Sequence, residues 1–405
     1  MTIRLFYFVA DTYPAWRFDV NELFGKELPK KGVHVTWSMR RSDAGSCTKV
    51  AQDGQTVYLP LSLGRRSSAS RIANRFLEAF CEVYWFLRLV LGPRYDIIQV
   101  RDDRYLAGFW GWLAARLTGA RFVYWLSFPF PENDAEKGRR ARGLKRLFLE
   151  SRARITGWWL YRVLLCLADH VFVQSEEMQR DVAAYGVPWD RMTPVPMAIP
   201  VRLLDMATAH TAVSEPGTIA YVGTLAAVRR LDVIVDAFAI VRAACPQARL
   251  IVIGDGDMPA ERAALEAQVC RLGLAGQVRF TGFLPVDEVW KILGTAAIGL
   301  SPIFVDRVLK VGSPTKLVEY LAMRKPVVCN DHPEQSAIIR DSNAGLSVAW
   351  GAEQFAAAMI WMLRHPEEAQ AMGERGPAWV SENRTYPIIA ASVFARYRQL
   401  LGQAA

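Results

Sequence analysis

Apolar and polar positions along this chain follow two alternating spacings. Residues 3–9, 33–38, 96–100 and 121–126 are apolar runs of strand length, and stretches with apolar residues every three or four positions separate them. One such amphipathic stretch covers about residues 19–31 and stops at Gly32; another covers 70–91 and stops at Gly92-Pro93. A helix is predicted between the strands at 96–100 and 121–126, and residues 170–174 and 192–196 close this first series. Strands separated by helical stretches predict a parallel sheet covered on both faces.

Periodicity lapses over residues 207–217 (Ala-Thr-Ala-His-Thr-Ala-Val-Ser-Glu-Pro-Gly), which read as a linker. A second alternation follows, with strands at 218–222, 249–253, 277–281, 297–301 and 326–329. Helices are predicted at 230–244, 259–272, 287–294 and from 313 onward, and an amphipathic segment at 386–401 ends the chain. The pattern therefore predicts an α/β protein of two domains, 1–206 and 218–385. A length of 405 residues suits two cores rather than one.

Composition narrows this only a little. With 52% hydrophobic and 22% charged residues the chain is globular. Its six cysteines show no CxxC or His pairing and read as reduced core residues of a cytoplasmic protein. The first apolar run is too short for a signal peptide, and no apolar stretch is long enough to span a bilayer. Charge changes the picture more. The net charge is +9, and residues 137–154 hold eight cations (Lys137, Arg139, Arg140, Arg142, Lys145, Arg146, Arg152, Arg154) against Glu150 alone. Trp158, Trp159 and Tyr161 follow. Cations beside aromatic residues over 137–162 suit docking on an anionic membrane surface, which predicts a peripheral protein on the inner face of the cell membrane. The alternative is a solvated loop leading into a buried helix. No helix-turn-helix, zinc-finger or RNA-sheet signature accompanies the charge, so nucleic acid is not expected as a partner.

Candidate chemistry gathers at the predicted strand ends of the second domain, where open parallel sheets bind ligands. Gly223-Thr224, Gly254-Asp255-Gly256, Gly282-Phe283-Leu284-Pro285 and Ser301-Pro302 each end a strand. Ser313 as N-cap with Pro314 at the first helical position predicts a helix start, whose backbone N–H groups can hold a phosphate. Lys316 adds a cation in that first turn, and Glu319 lies one turn on, where it can accept hydrogen bonds from a diol. The alternative for this octamer is an ordinary capped helix with a solvated Lys–Glu pair. Arg229 and Arg230 are placed to grip a diphosphate. A dinucleotide fingerprint fails because Pro259 stands where its third glycine belongs, and no P-loop exists. The five histidines form no metal-binding spacing, and His332 and Glu334 are the one His/Glu pair near these strand ends.

Taken in order, Tyr221-Val-Gly-Thr-x4-Arg-Arg-Leu-Asp232, Ile253-Gly-Asp-Gly256, Phe280-Thr-Gly-Phe283, Ser313-Pro-Thr-Lys-Leu-Val-Glu-Tyr320, Lys325-Pro-Val-Val328 and Asn330-Asp-His-Pro-Glu-Gln335 resemble glycosyltransferase family 4, of the GT-B fold. The resemblance is strong in the second half and weaker in the first, where Trp16 to Phe24 looks like a subgroup's first loop and helix. It implies two Rossmann-like domains facing a central cleft, with the final helix at 386–405 crossing back to complete the first. It also implies a retaining transfer from a nucleotide-diphosphate sugar to a lipid-linked or saccharide acceptor, without cofactor or metal. Glu319 matches the second glutamate of the family's Glu-x7-Glu motif and would hold the ribose. Arg229 matches the basic residue on the diphosphate, joined by the backbone at Thr315, Lys316 and Leu317, with the loop at 283–285 beside the base. Arg17, Asp19, Arg101, Asp102 and Ser127 are candidates for the acceptor side, surface charge being the alternative reading there.

The sequence departs from the family at four places. Val311 replaces the first glutamate, Thr224 replaces the usual arginine with Arg230 as its substitute, and Ser127 stands near the common histidine. Ala15-Trp16-Arg17 replaces a Gly-Gly turn. An inverting transferase, a sugar-nucleotide epimerase and a catalytically silent membrane scaffold of the same fold are the alternatives these departures leave.

Overall fold

The computed structural model describes residues 2–15, 17–41, 43–52, 54–64, 68–209 and 214–403. It divides into two units, residues 1–196 with 386–405, and residues 197–385.

Unit 1 is built on β1 (Ile3–Thr12), β2 (Val33–Arg40), the short antiparallel pair β3 (Ala44–Gly45) and β6 (Ser62–Leu63), β4 (Thr48–Gln52), β5 (Gln55–Leu59), β7 (Ile97–Arg101), β8 (Arg121–Leu126), β9 (His170–Val173) and β10 (Met192–Pro194). Eight of these form one sheet in the order β10-β9-β8-β7-β1-β2-β5-β4, parallel except for β4 against β5. The central β1 is covered on both faces, so Leu5, Phe6, Tyr7, Phe8 and Val9 are all buried. The β4–β5 hairpin escapes the sequence pattern because its strands are short and polar on one face. The stretch expected as one helix over 19–31 is a π-helix, Asp19–Glu27, running into a helical turn at Leu28–Lys30. Helix Tyr386–Leu400 packs on that π-helix. Tyr386, Ile389, Val393 and Tyr397 form its buried stripe, and the Tyr397 hydroxyl donates to Gln99 Oε1 at 2.5 Å.

Unit 2 carries six parallel strands: β11 (Thr218–Val222), β12 (Arg249–Ile253), β13 (Val278–Phe280), β14 (Ile298–Ser301), β15 (Val327–Asn330) and β16 (Gly345–Val348). Their order is β13-β12-β11-β14-β15-β16. Helices Asp232–Ala244 and Ala352–Arg364 pack on one another, and Phe238, Val241, Phe355 and Met359 join Ile219 and Leu250 in the core.

Chain direction along the sheet reverses between β11 and β14 in unit 2 and between β1 and β7 in unit 1. Adjacent connections part at such a point and leave a crevice at the strand ends.

Three expectations need amending. The boundary at 206 moves to Pro196, because helix Val201–Ala209 packs on helices of unit 2. Of the predicted linker, 207–209 end that helix and 210–213 lie outside the described residues, as does Trp16 of the first loop. Among the cysteines, all free, only Cys245 and Cys329 are buried, while Cys47 and Cys270 are exposed. No described helix is long and apolar enough to cross a membrane.

Candidate functional site

The end of β11 forms a tightly packed corner. Gly223, at φ +145°, donates its N–H to Ile253 O at 2.8 Å, and Gly254, at φ +128°, donates to Gly282 O at 3.1 Å. Three strand-end glycines thus stack backbone on backbone. A β-carbon on Gly254 would lie 2.1 Å from Gly223 O, so only glycine fits. Gly256 is packed in the same way against Met258 O and Glu261.

Lys316 fills the space above Gly223. Its ammonium donates to the Tyr221 hydroxyl at 2.9 Å and lies 4.6 Å from the centre of that ring. The Tyr221 hydroxyl in turn donates to Thr224 O at 3.1 Å. Burial, and next the charge of Arg229, drive the Lys316 ammonium well below its usual range, while Glu319 opposes them. Burial likewise pushes Glu319 up to about 7, with Lys316 opposing. A solvated Lys–Glu pair is therefore not what the fold builds. At this strand end the charge of Arg229 bears on the Lys316 amine, and a carboxyl one turn away gives up its proton late.

The helix behind Lys316 begins at Thr315, not at Pro314, and Pro314 takes the N-cap position without a side-chain cap. Ser313 does not cap it. The Ser313 hydroxyl accepts from Met197 N at 2.9 Å and donates to Glu334 Oε1 at 2.7 Å, and Glu334 also pairs with Arg384 at 2.8 Å. Pro314 supplies no side-chain cap, so among the described residues the first-turn N–H groups are left for an anion.

Neighbouring residues hold this corner in shape. Arg229 Nε donates to Thr224 Oγ1 at 3.3 Å. Arg230, at φ +53°, is turned to Asp232 with two contacts of 3.1 Å and lies over Phe304, so it is not gathered with Lys316. Glu261 accepts from Ala227 N and Met258 N and ties the arginine loop to the next strand end. Phe283 is 69% exposed beside the partly buried Leu284. Asn330 clamps both backbone groups of Ile303, and His332 Nε2 bonds Leu309 O at 3.0 Å, so the Asn-Asp-His-Pro-Glu-Gln motif braces the loop leading to Thr315. His332 and Glu334 are brace residues rather than a metal or acid–base pair. Sequence reasoning missed Tyr221 as a partner of Lys316 and Tyr320, whose hydroxyl accepts from Val222 N at 2.8 Å. Both tyrosines read as core aromatics.

In unit 1 the sequence candidates also come together, but inside the protein. Arg101 is fully buried at the end of β7, with Nη2 2.5 Å from Asp19 Oδ2 and Nε 3.0 Å from Asp102 Oδ2. It also donates to Ser127 Oγ at 3.1 Å and lies 4.5 Å over Trp125. Asp102, at φ +56°, accepts from both Ser127 N and Ser127 Oγ at 2.7 Å. Burial pushes Asp19 up, but Arg101 and Arg17 outweigh it and hold the carboxyl below its usual value. For Asp102 burial wins, and its carboxyl is raised. The surface-charge reading fails for Arg101, Asp19 and Asp102. Arg17 is partly exposed and pairs with Asp19 at 3.2 Å.

Profiles of two known families match these halves. One described as "Glycosyl transferase 4-like domain" matches residues 21–198, and one described as "Glycosyl transferases group 1" matches residues 216–365. The chain belongs to the family 4 glycosyltransferases. Among relatives of this chain is the amylovoran biosynthesis glycosyltransferase AmsK of Erwinia amylovora, 26% identical over 195 residues, 48% of this chain and 47% of that one. The chain spans about half the length of the curated relatives it matches. Sucrose-phosphate synthase from Thermosynechococcus elongatus superposes with a TM-score of 0.73 at 18% identity, covering 99% of both chains. Anabaena HepE, solved with UDP and glucose, gives 0.66 at 14% identity, covering 98% of this chain and 100% of that one. The chain therefore has the GT-B fold. Its departure at Val311 is structural as well as chemical, since that side chain is 2% exposed.

Proposed function

We propose that the protein moves a sugar from a nucleotide-diphosphate donor to a lipid-linked or saccharide acceptor in cell-surface polysaccharide or glycolipid synthesis, retaining anomeric configuration. The observation that carries this reading is the Lys316 ammonium, held by Tyr221 beside an uncapped helix start and next to Arg229. A diphosphate fits that place because it supplies the negative charge that both cations and the first-turn N–H groups of Thr315, Lys316 and Leu317 lack. Ribose hydroxyls would meet Glu319, and the base would lie against Phe283 and Leu284. A basic cluster stabilises the diphosphate as charge builds on it during transfer. In the step, the acceptor oxygen bonds to the sugar's anomeric carbon, the carbon–phosphate oxygen bond breaks, and the leaving phosphate takes the acceptor's proton. HepE was solved with UDP and glucose, and AmsK is named as a glycosyltransferase of amylovoran biosynthesis; both support the substrate class. Glu319→Ala and Arg229→Ala should abolish transfer while nucleoside diphosphates no longer raise the melting temperature. Full transfer by both variants would overturn the assignment, and the anomeric configuration of the product tests retention.

Val311 favours a second reading, a nucleotide-binding GT-B module without transferase activity. Binding of nucleoside diphosphates with no transfer to any lipid-linked or saccharide acceptor would decide for it.

A further inference from the structure

Helix Gly143–Trp159 has two apolar stripes, and the fold uses one. Leu149 and Ala153 are buried, and helix Phe130–Arg140 packs along the helix. At about 100° per residue, Leu144, Leu147, Phe148, Ile155 and Trp158 fall within about 100° of arc on the other side. Their exposure runs from 59% at Phe148 to 85% at Leu144. Five large apolar side chains on one convex face exceed what scattered surface residues account for.

Cations border this stripe, and one of them, Arg152, lies 5.7 Å from the centre of the Phe148 ring. By the same geometry Lys145 and Arg152 lie along one edge and Arg154 along the other. Arg139 and Arg140 pair with Glu136, Arg146 with Glu150 and Arg152 with Asp134. Lys137, Arg142, Lys145 and Arg154 stand outside these pairs. Ring contacts continue the apolar surface from Trp158 to Trp159 at 6.3 Å and on to Phe109 at 6.0 Å.

We propose that this face of unit 1 rests on an anionic lipid bilayer. Leu144, Leu147, Phe148, Ile155 and Trp158 enter the boundary between headgroups and acyl chains, and the bordering cations meet lipid phosphates. Nucleic acid would need the cations at the centre of the face, where the aliphatic side chains are. A second copy packed on the same face would bring the bordering cations of both helices together. The proposal does not depend on the donor site of unit 2.

Co-sedimentation of the full chain with vesicles tests it, using phosphatidylcholine alone and phosphatidylcholine mixed with phosphatidylglycerol. The protein should pellet with the mixed vesicles, and high salt should release much of it. Phe148→Ser with Trp158→Ser should lower partitioning about tenfold, and Lys145→Glu with Arg154→Glu should lower it about tenfold at low salt. All four positions are exposed, so circular dichroism should be unchanged. Four outcomes overturn the proposal: equal partitioning of wild type and both variants, equal binding to neutral vesicles, binding to RNA but not to vesicles, or self-association through this face without vesicle binding. None of them bears on nucleotide binding, which the thermal-shift test of Glu319→Ala reads separately.

Discussion

Gly223 and Lys316 share one volume: a β-carbon on the glycine would sit 2.0 Å from the lysine ammonium. The absent side chain is what lets the cation lie over the strand end. The obstructing atom is the far end of a flexible side chain, so Gly223→Ala should fold, with about 1–3 kcal/mol of backbone strain at φ +145°. Displacing the ammonium should weaken nucleoside-diphosphate binding tenfold or more, about one lost charge-assisted bond. Gly254→Ala meets backbone instead and should fail in stability rather than in binding. Chemical denaturation beside titration calorimetry separates the two.

Glu319 makes stability depend on pH in a definite direction. Its carboxyl ionises at about 7 in the fold, against 4.5 for an ordinary glutamate. Below both values it is protonated in either state and costs nothing. As pH rises from about 4.5 to about 7 the unfolded chain ionises first, so stability falls across that window and then levels. Glu319→Gln should match wild type near pH 4 and exceed it by up to about 3 kcal/mol near pH 8. Urea unfolding at the two pH values checks this, and equal stability at both would refute the burial argument.

Lys316 predicts proton uptake on binding. Burial and Arg229 keep its ammonium below the usual range in the empty site, and a bound diphosphate restores the charge. Binding should therefore take up protons, and Lys316 should supply part of that uptake. Calorimetry in buffers of different ionisation enthalpy measures it, and Lys316→Met should lower it; an uptake unchanged by the substitution would refute the assignment.

The strand-end glycines, the arginine pair and the helix start were legible because each breaks a local pattern: a turn residue after an apolar run, or a cation where the helix dipole disfavours one. Ser313 misled because the Ser-Pro pair satisfies the local rule for a helix cap, while Met197 and Glu334 compete for its hydroxyl from distant parts of the chain. Tyr221 and Tyr320 carried no signal, since an aromatic residue in a strand or on a helix's apolar face reads as packing. Arg101 read as an acceptor-side candidate or a surface charge, not as a buried residue. Its burial follows from the strand order that brings Asp11, Asp19 and Asp102 around it, and no sequence spacing records that order.

That cluster carries the last prediction. Arg101 faces Asp19 and Asp102 at contact distance and Asp11 at 3.6 Å, all with little water around them. Removing the guanidinium strands the Asp19 carboxylate in the interior, so Arg101→Met should cost about 3–5 kcal/mol. Adding Asp19→Asn removes the stranded charge, and the double variant should recover part of that loss, which makes the two substitutions non-additive. Asp19 is held below its usual value in the fold, so its contribution is present above the ordinary carboxylate range and is lost as pH falls through the lowered value. Wild type should therefore lose stability on acidification more steeply than the double variant, and additive effects at every pH would show that Arg101 acts through packing on Trp125 instead.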